Sequence, residues 1–165
     1  YQKEVLGTTS IEESLKEKNI ILTRKVLEEM DTYLQIEKLN IEGRILQGED
    51  SKTMDQGFWH FPLSVFPGEK GNSVIIGHRF MNLPPNPDTF FNLDKVSIGD
   101  KIRIVQSEGD FTYIVVNTKI VSPEDISVIQ DTNDYTLTLI TCTPLWTSEK
   151  RLVVVAKLDK LYKKV

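Results

Sequence analysis

The chain has 165 residues, 39% of them apolar and 27% charged, with a net charge of −4. At roughly 150 residues per domain this is one domain with room for an appendage. The acidic balance argues against a nucleic-acid binder, which needs a basic face to displace counterions. A single Cys (Cys142) and two His (His60 and His78) exclude an internal disulfide and a structural zinc site of Cys and His. The same three residues are the minimum set for thiol nucleophile chemistry. No apolar run approaches the about 18 residues of a membrane span. The sequence begins at Tyr1 rather than Met, so it reads as a trimmed piece of a longer chain, from which a signal or anchor segment could have been removed.

Residues 1–9 lack periodicity and form a lead-in. Ser10 and Glu13 have capping-box spacing, which predicts a helix to about Lys18 with Ile11 and Leu15 on one face. Leu22, Val26 and Met30 are four apart and predict further helical turns, although Ile20-Ile21-Leu22 alone fits a strand equally well. Residues 1–31 are thus an N-terminal lead-in and helical segment, and residues 32–165 the main domain.

From Thr32 onward the pattern becomes strand-like. Strands are expected at 33–36 and 44–46, and again at 73–76, where the chain leaves through Gly77-His78-Arg79. Pro67-Gly68 and Gly71-Asn72 mark tight turns. Pro84, Pro85 and Pro87 make 80–88 a stiff loop, since proline cannot donate to a ladder. Residues 101–106 and 111–121 flank Glu108-Gly109-Asp110 as a hairpin. Ser122-Pro123-Glu124-Asp125 has the cap, N1 proline and acids of a helix start, predicting a short helix to about Gln130. Residues 135–142 (YTLTLITC) and 151–158 (RLVVVAKL) are the last strands. Seven or eight short strands with few helices predict a mainly β fold, a closed or nearly closed barrel without exposed edges.

Cys142 ends a strand just before Thr143-Pro144, where a thiol would meet a loop-lined cleft. The alternative is a small buried hydrophobe, a common place for free Cys. His78 can serve as the base or imidazolium partner of that thiol, or be a strand-end His bonded to a carbonyl. His60, between Trp59 and Phe61-Pro62, reads as a packed core residue. Arg151 lies nine positions after Cys142 and starts the next strand. If the two strands pair, its fork of donors returns beside the thiol to hold an oxyanion or a carbonyl. The alternative is a surface Arg paired with Glu149. Phosphate loops, H-E-x-x-H and paired acids are all missing from the sequence.

Taken together these segments resemble the sortases, cysteine transpeptidases of bacterial cell surfaces. Thr138-Leu139-Ile140-Thr141-Cys142 matches the family's TLxTC signature, and Arg151 stands where the family has its active-site arginine. The segment from Pro67 to Arg79 resembles the one that ends in the catalytic His, and Trp59-His60-Phe61-Pro62 resembles the preceding element whose His is not catalytic. Residues 33–41 look like the opening strand and 91–100 like the linker after the His loop. The likeness runs from about Tyr33 to Leu158.

The resemblance implies an eight-stranded sortase-like closed β-barrel with a Cys142, His78, Arg151 active site and Thr141 in substrate contact. Simple alternation sets Thr141 on the face opposite Cys142, so that contact depends on local twist. It also implies cleavage of an LPxTG-like C-terminal sorting signal and transfer of the protein to an amine of a cell-wall precursor or a pilin lysine. The enzyme would sit on the extracellular face of the membrane, anchored through a segment outside this sequence. No metal or other cofactor is implied: Glu108, Asp110, Glu124 and Asp125 form no recognisable calcium loop. Leu145-Trp146-Thr147-Ser148 replaces the Tyr-Gly-x-Asn of pilin-polymerising sortases, and their Asp-Pro-aromatic lid motif is absent. A housekeeping, D-like or E-like enzyme is therefore favoured. A thiol hydrolase that releases product to water and a catalytically silent peptide-binding barrel are the rival readings. For loop 80–88 two roles are open: packing on the barrel, or forming a wall of the substrate groove.

Overall fold

Val, Ile and Thr crowd the segments between the turns, and their branched side chains suit a pleated surface. The computed structural model describes residues 31–107 and 109–163, and within them eight strands form. They are β1 (Tyr33–Ile36), β2 (Ile41–Leu46), β3 (Phe58–His60), β4 (Gly71–Ile76), β5 (Lys101–Gln106), β6 (Gly109–Val121), β7 (Tyr135–Thr143) and β8 (Lys150–Lys163). The order around the sheet is β1-β2-β3-β4-β7-β8-β6-β5, and β5 pairs with β1 to close the barrel. Closure pairs most of the strand edges that would otherwise recruit another chain. The expected closed, eight-stranded, mainly β barrel is the observed one. The helical segment expected over residues 1–31 falls almost wholly outside the described residues.

Two pairings are parallel, β2 with β3 and β4 with β7, and the remaining pairings are antiparallel. The strand expected at 44–46 starts earlier, at Ile41, because Asn40 turns the chain in the left-handed region at φ 57°. Asn tolerates that conformation better than other side-chain-bearing residues.

Period-two alternation divides β7 between two apolar layers. Leu137 and Leu139 point into the barrel with Leu34, Ile75, Ile104 and Val154. Ile140 points outward and packs with Val74, Ile76 and Val153 under Trp59, Phe61, Val128 and Ile129. The outer face of β4, β7 and β8 is therefore itself covered, by the connection between β6 and β7.

That connection sharpens one expectation. The short helix expected to about Gln130 is a 3-10 helix at Ile126–Ile129, which starts later than the Ser122-Pro123 signal and is capped by Asp125, whose side chain accepts from the Ser127 N–H. The buried Asn72 side-chain amide donates to the carbonyls of Val128 (3.1 Å) and Gln130 (2.9 Å), which an α-helix would have directed along its own axis. Burial of Val128 and Ile129 favours this path over the local helix-start signal. Thr138 Oγ1 donates to Asn72 Oδ1 at 2.7 Å, and the Asn72 N–H donates to Asp131 Oδ1 at 2.8 Å. The connection is thereby fastened to β4 and β7.

Candidate active site

The parallel pairing of β4 with β7 builds the site. Val74 faces Thr138, Ile75 faces Leu139 and Ile76 faces Ile140. The ladder runs on past β4, since the Gly77 N–H donates to Ile140 O (3.1 Å) and Thr141 Oγ1 donates to Gly77 O (2.8 Å). Continued two steps beyond Ile76, this register would bring His78 level with Cys142. Antiparallel pairing then places Cys142 opposite Arg151, and Arg151 opposite Val121. Side chains alternate along a strand, so Cys142 and Arg151 share the outer face with Ile140 and Val153. His78 stands two positions past the outward-facing Ile76, and the β4–β7 register continued that far would set it beside Cys142 in the same lateral row.

Cys142 is a free, half-buried thiol at the end of β7, so the fully buried alternative does not describe it. Arg151 is also half-buried and does not pair with Glu149. Its Nη1 donates to the carbonyls of Ser148 and Lys150, both at 3.0 Å. These two bonds fix the arm, and among the described residues nothing engages Nε or Nη2. His78 Nε2 donates to Asp55 Oδ1 at 2.7 Å, from the end of the 3-10 turn Ser51–Asp55 between β2 and β3.

Thr141 stands apart from this row. It is buried on the opposite face, and its hydroxyl is committed to Gly77 O, tying β7 to the stretch that carries His78. Local twist does not bring its side chain to the outer face.

Two site neighbours carry no signal strong enough to be named from sequence. Asp55 lies 23 positions before His78, with no motif to join them. Arg79 follows His78 directly, but its side chain is only 5% exposed. It bonds Phe91 O (2.9 Å), Cys142 O (3.1 Å), Thr143 Oγ1 (3.4 Å) and Asp94 Oδ1 (3.1 Å). The adjacency to His78 was the only signal in the sequence, since these partners are 12 to 64 residues away.

In the loops beside Cys142, Trp146 meets Phe80 and Phe91 edge-on, with ring centroids 4.5 Å and 6.0 Å away. These rings join the loop after His78 to the β7–β8 loop. The far end of loop 80–88 is tied to β2, where the Glu42 N–H donates to Pro87 O at 2.9 Å, while Leu83 stays exposed. The loop thus packs on the barrel at both ends. No three His, Cys, Asp or Glu side chains gather as a metal cluster among the described residues.

His60 has the structural character expected of it. It is fully buried, its Nε2 donates to Val65 O at 2.8 Å, and its Nδ1 lies 2.9 Å from the Gln47 side-chain amide. Burial lowers its pKa from 6.5 to about 4, against the smaller opposing effect of the Val65 carbonyl. Below pH 6.5 the unfolded chain therefore binds a proton that the folded chain refuses. The stability this confers is complete above pH 6.5 and lost as pH falls through about 4. The expected loss is roughly 3 kcal/mol by the lower end of that window, at about 1.4 kcal/mol per pKa unit. Urea midpoints measured between pH 7.5 and 4.5 should fall steadily; a flat midpoint would contradict a neutral buried His60.

Comparison with known proteins agrees with this fold. Residues 34–159 match a family model described as the sortase domain. Sortase D of Bacillus subtilis is 35% identical over 129 residues, which cover 75% of this chain and 61% of that protein. Sortase A of Listeria monocytogenes is 36% identical over 94 residues, covering 57% of this chain and 41% of that protein. The chain thus spans about two fifths to three fifths of the length of these curated relatives. Among solved structures, Listeria monocytogenes sortase A superimposes with a TM-score of 0.72 at 27% identity, covering 83% of this chain and 92% of that one. A sortase D5 transpeptidase of Clostridium perfringens gives a TM-score of 0.69 at 29% identity, covering 96% of this chain and 93% of that one. The barrel and the family match over residues 34–159 lead to one conclusion: the chain belongs to the sortase family.

Proposed function

We propose that this chain is a cysteine transpeptidase of the D-like kind, acting on LPxTG-like sorting signals at the cell surface. The observation that carries the reading is the strand register, which sets Cys142 opposite Arg151 and ends β4, two residues before His78, against β7. Cys142 Sγ, as thiolate, attacks the Thr carbonyl carbon of the signal. As the oxyanion collapses, the bond to the following amine breaks and His78 gives that amine its proton. Asp55 holds Nε2, so Nδ1 is the ring nitrogen left to exchange this proton. Arg151 offers its unengaged edge to the carbonyl oxygen as negative charge develops. An incoming amine then attacks the thioester carbon, His78 takes its proton, and the thiolate leaves. Thr141 supports the site through Gly77. The natural acceptor is an amine of a cell-wall precursor or a pilin lysine.

Product partition tests this reading. A fluorogenic LPxTG-like peptide is incubated with increasing triglycine, and amide and acid products are separated. A growing fraction of amide product is expected. Acid alone at every triglycine concentration would favour the hydrolase. Absence of turnover, with Cys142 inert to iodoacetamide at neutral pH, would favour the silent barrel.

A further inference from the structure

We propose that Arg79 is a positioning residue that locks the nucleophile's strand end to the stretch carrying its histidine. The inference deepens the proposed function and rests on the roles given there to Cys142 and His78. Arg79 is adjacent in sequence to His78, yet its side chain lies on the other side of the backbone and ends behind Cys142. There Nη1 holds the Cys142 carbonyl and the Thr143 hydroxyl, Nε holds the Phe91 carbonyl and Nη2 pairs with Asp94.

All three guanidinium nitrogens are therefore used, and they join three stretches distant in sequence: residues 78–79, the end of β7 and residues 91–94. Burying a cation is costly unless its donors are satisfied, so this placement demands a return elsewhere. Here the return is geometric. Parallel pairing proper ends at Ile76–Ile140, and His78 and Cys142 lie just past it. The Gly77 bonds and the Arg79 fork are what extend the register to the reacting side chains. A planar fork can hold acceptors on several sides at once, whereas the point charge of lysine cannot. Arg79 touches neither the thiol nor the outer face, so its effect passes through the Cys142 backbone.

The test compares the parent with Arg79→Lys, which keeps the charge and loses the fork. In a folded Arg79→Lys protein, kcat for an LPxTG-like peptide is expected to fall about 10- to 100-fold, the scale of a misplacement near 1 Å, with KM within about twofold. Amide hydrogen exchange should quicken at residues 77–80 and 141–145 while β5 and β6 keep their protection. Unchanged exchange at those two stretches would overturn the proposal, as would an unchanged kcat in an active enzyme. Quickened exchange in a chain whose parent has no transpeptidase activity would uphold the clamp and remove the functional reading instead. If Arg79→Lys fails to fold, the double variant Asp94→Asn, Thr143→Val weakens the Asp94 pairing and removes the Thr143 acceptor, and the same criteria apply.

Discussion

Cys142→Ala is expected to abolish thioester formation with an LPxTG-like peptide while leaving the barrel folded. The prediction separates chemistry from structure because the two use different atoms of the residue. The backbone of Cys142 pairs with Arg151 in the β7–β8 ladder, and its carbonyl accepts from Arg79; alanine keeps both. The sulfur itself is half-buried and makes no disulfide, so its removal costs little packing. Loss of an attacking nucleophile lowers kcat by about 10⁴-fold or more, since what remains is binding and electrostatics. Chromatography of the peptide products and a melting curve of the variant check the two halves. Turnover retained by folded Cys142→Ala would remove the assigned nucleophile.

Arg151→Ala is expected to lower kcat by about 10²- to 10³-fold, the usual scale for removing a donor to a developing oxyanion. The carbonyls of Ser148 and Lys150 hold Nη1, and the strand pairing sets the base of the side chain opposite Cys142. Arg151→Lys should recover only part of the rate, because an ammonium cannot reproduce the two-sided fork. The division between kcat and KM decides what Arg151 does. A raised KM with unchanged kcat would mean that it holds the peptide in ground and transition states alike, and the oxyanion role would fall.

The parts of the fold and site that were legible in the sequence depend on local pattern. Alternation in residues 135–142 and 101–106 announced strands whose two faces the barrel uses differently. The candidates Cys142, His78 and Arg151 each sit at a strand end, where a punctuating Pro, Gly or strand start marks the position. What stayed hidden depends on pairing between distant segments. The β3 strand is three residues long and parallel to β2, too short to show a period. Asp55 and Arg79 acquire their roles only when the barrel closes. The short helix expected to about Gln130 is present as the 3-10 helix Ile126–Ile129, and its late start has the same cause. Ser122 and Pro123 favour an earlier start, but the Asn72 amide and the burial of Val128 and Ile129 outweigh them. Thr141 belongs to the signature yet turns inward, because adjacent residues of a strand cannot share a face.

At the centre of the proposed function, Cys142 carries the acyl group between donor and acceptor. Intact-protein mass spectrometry after mixing with an LPxTG-like peptide, without and then with triglycine, tests it most directly. The predicted result is a mass increase equal to the peptide's N-terminal fragment, mapped to Cys142 and lost when triglycine is added. Cleavage of the peptide with no adduct at Cys142 in rapidly quenched samples, and with full activity after Cys142 has been alkylated, would contradict it.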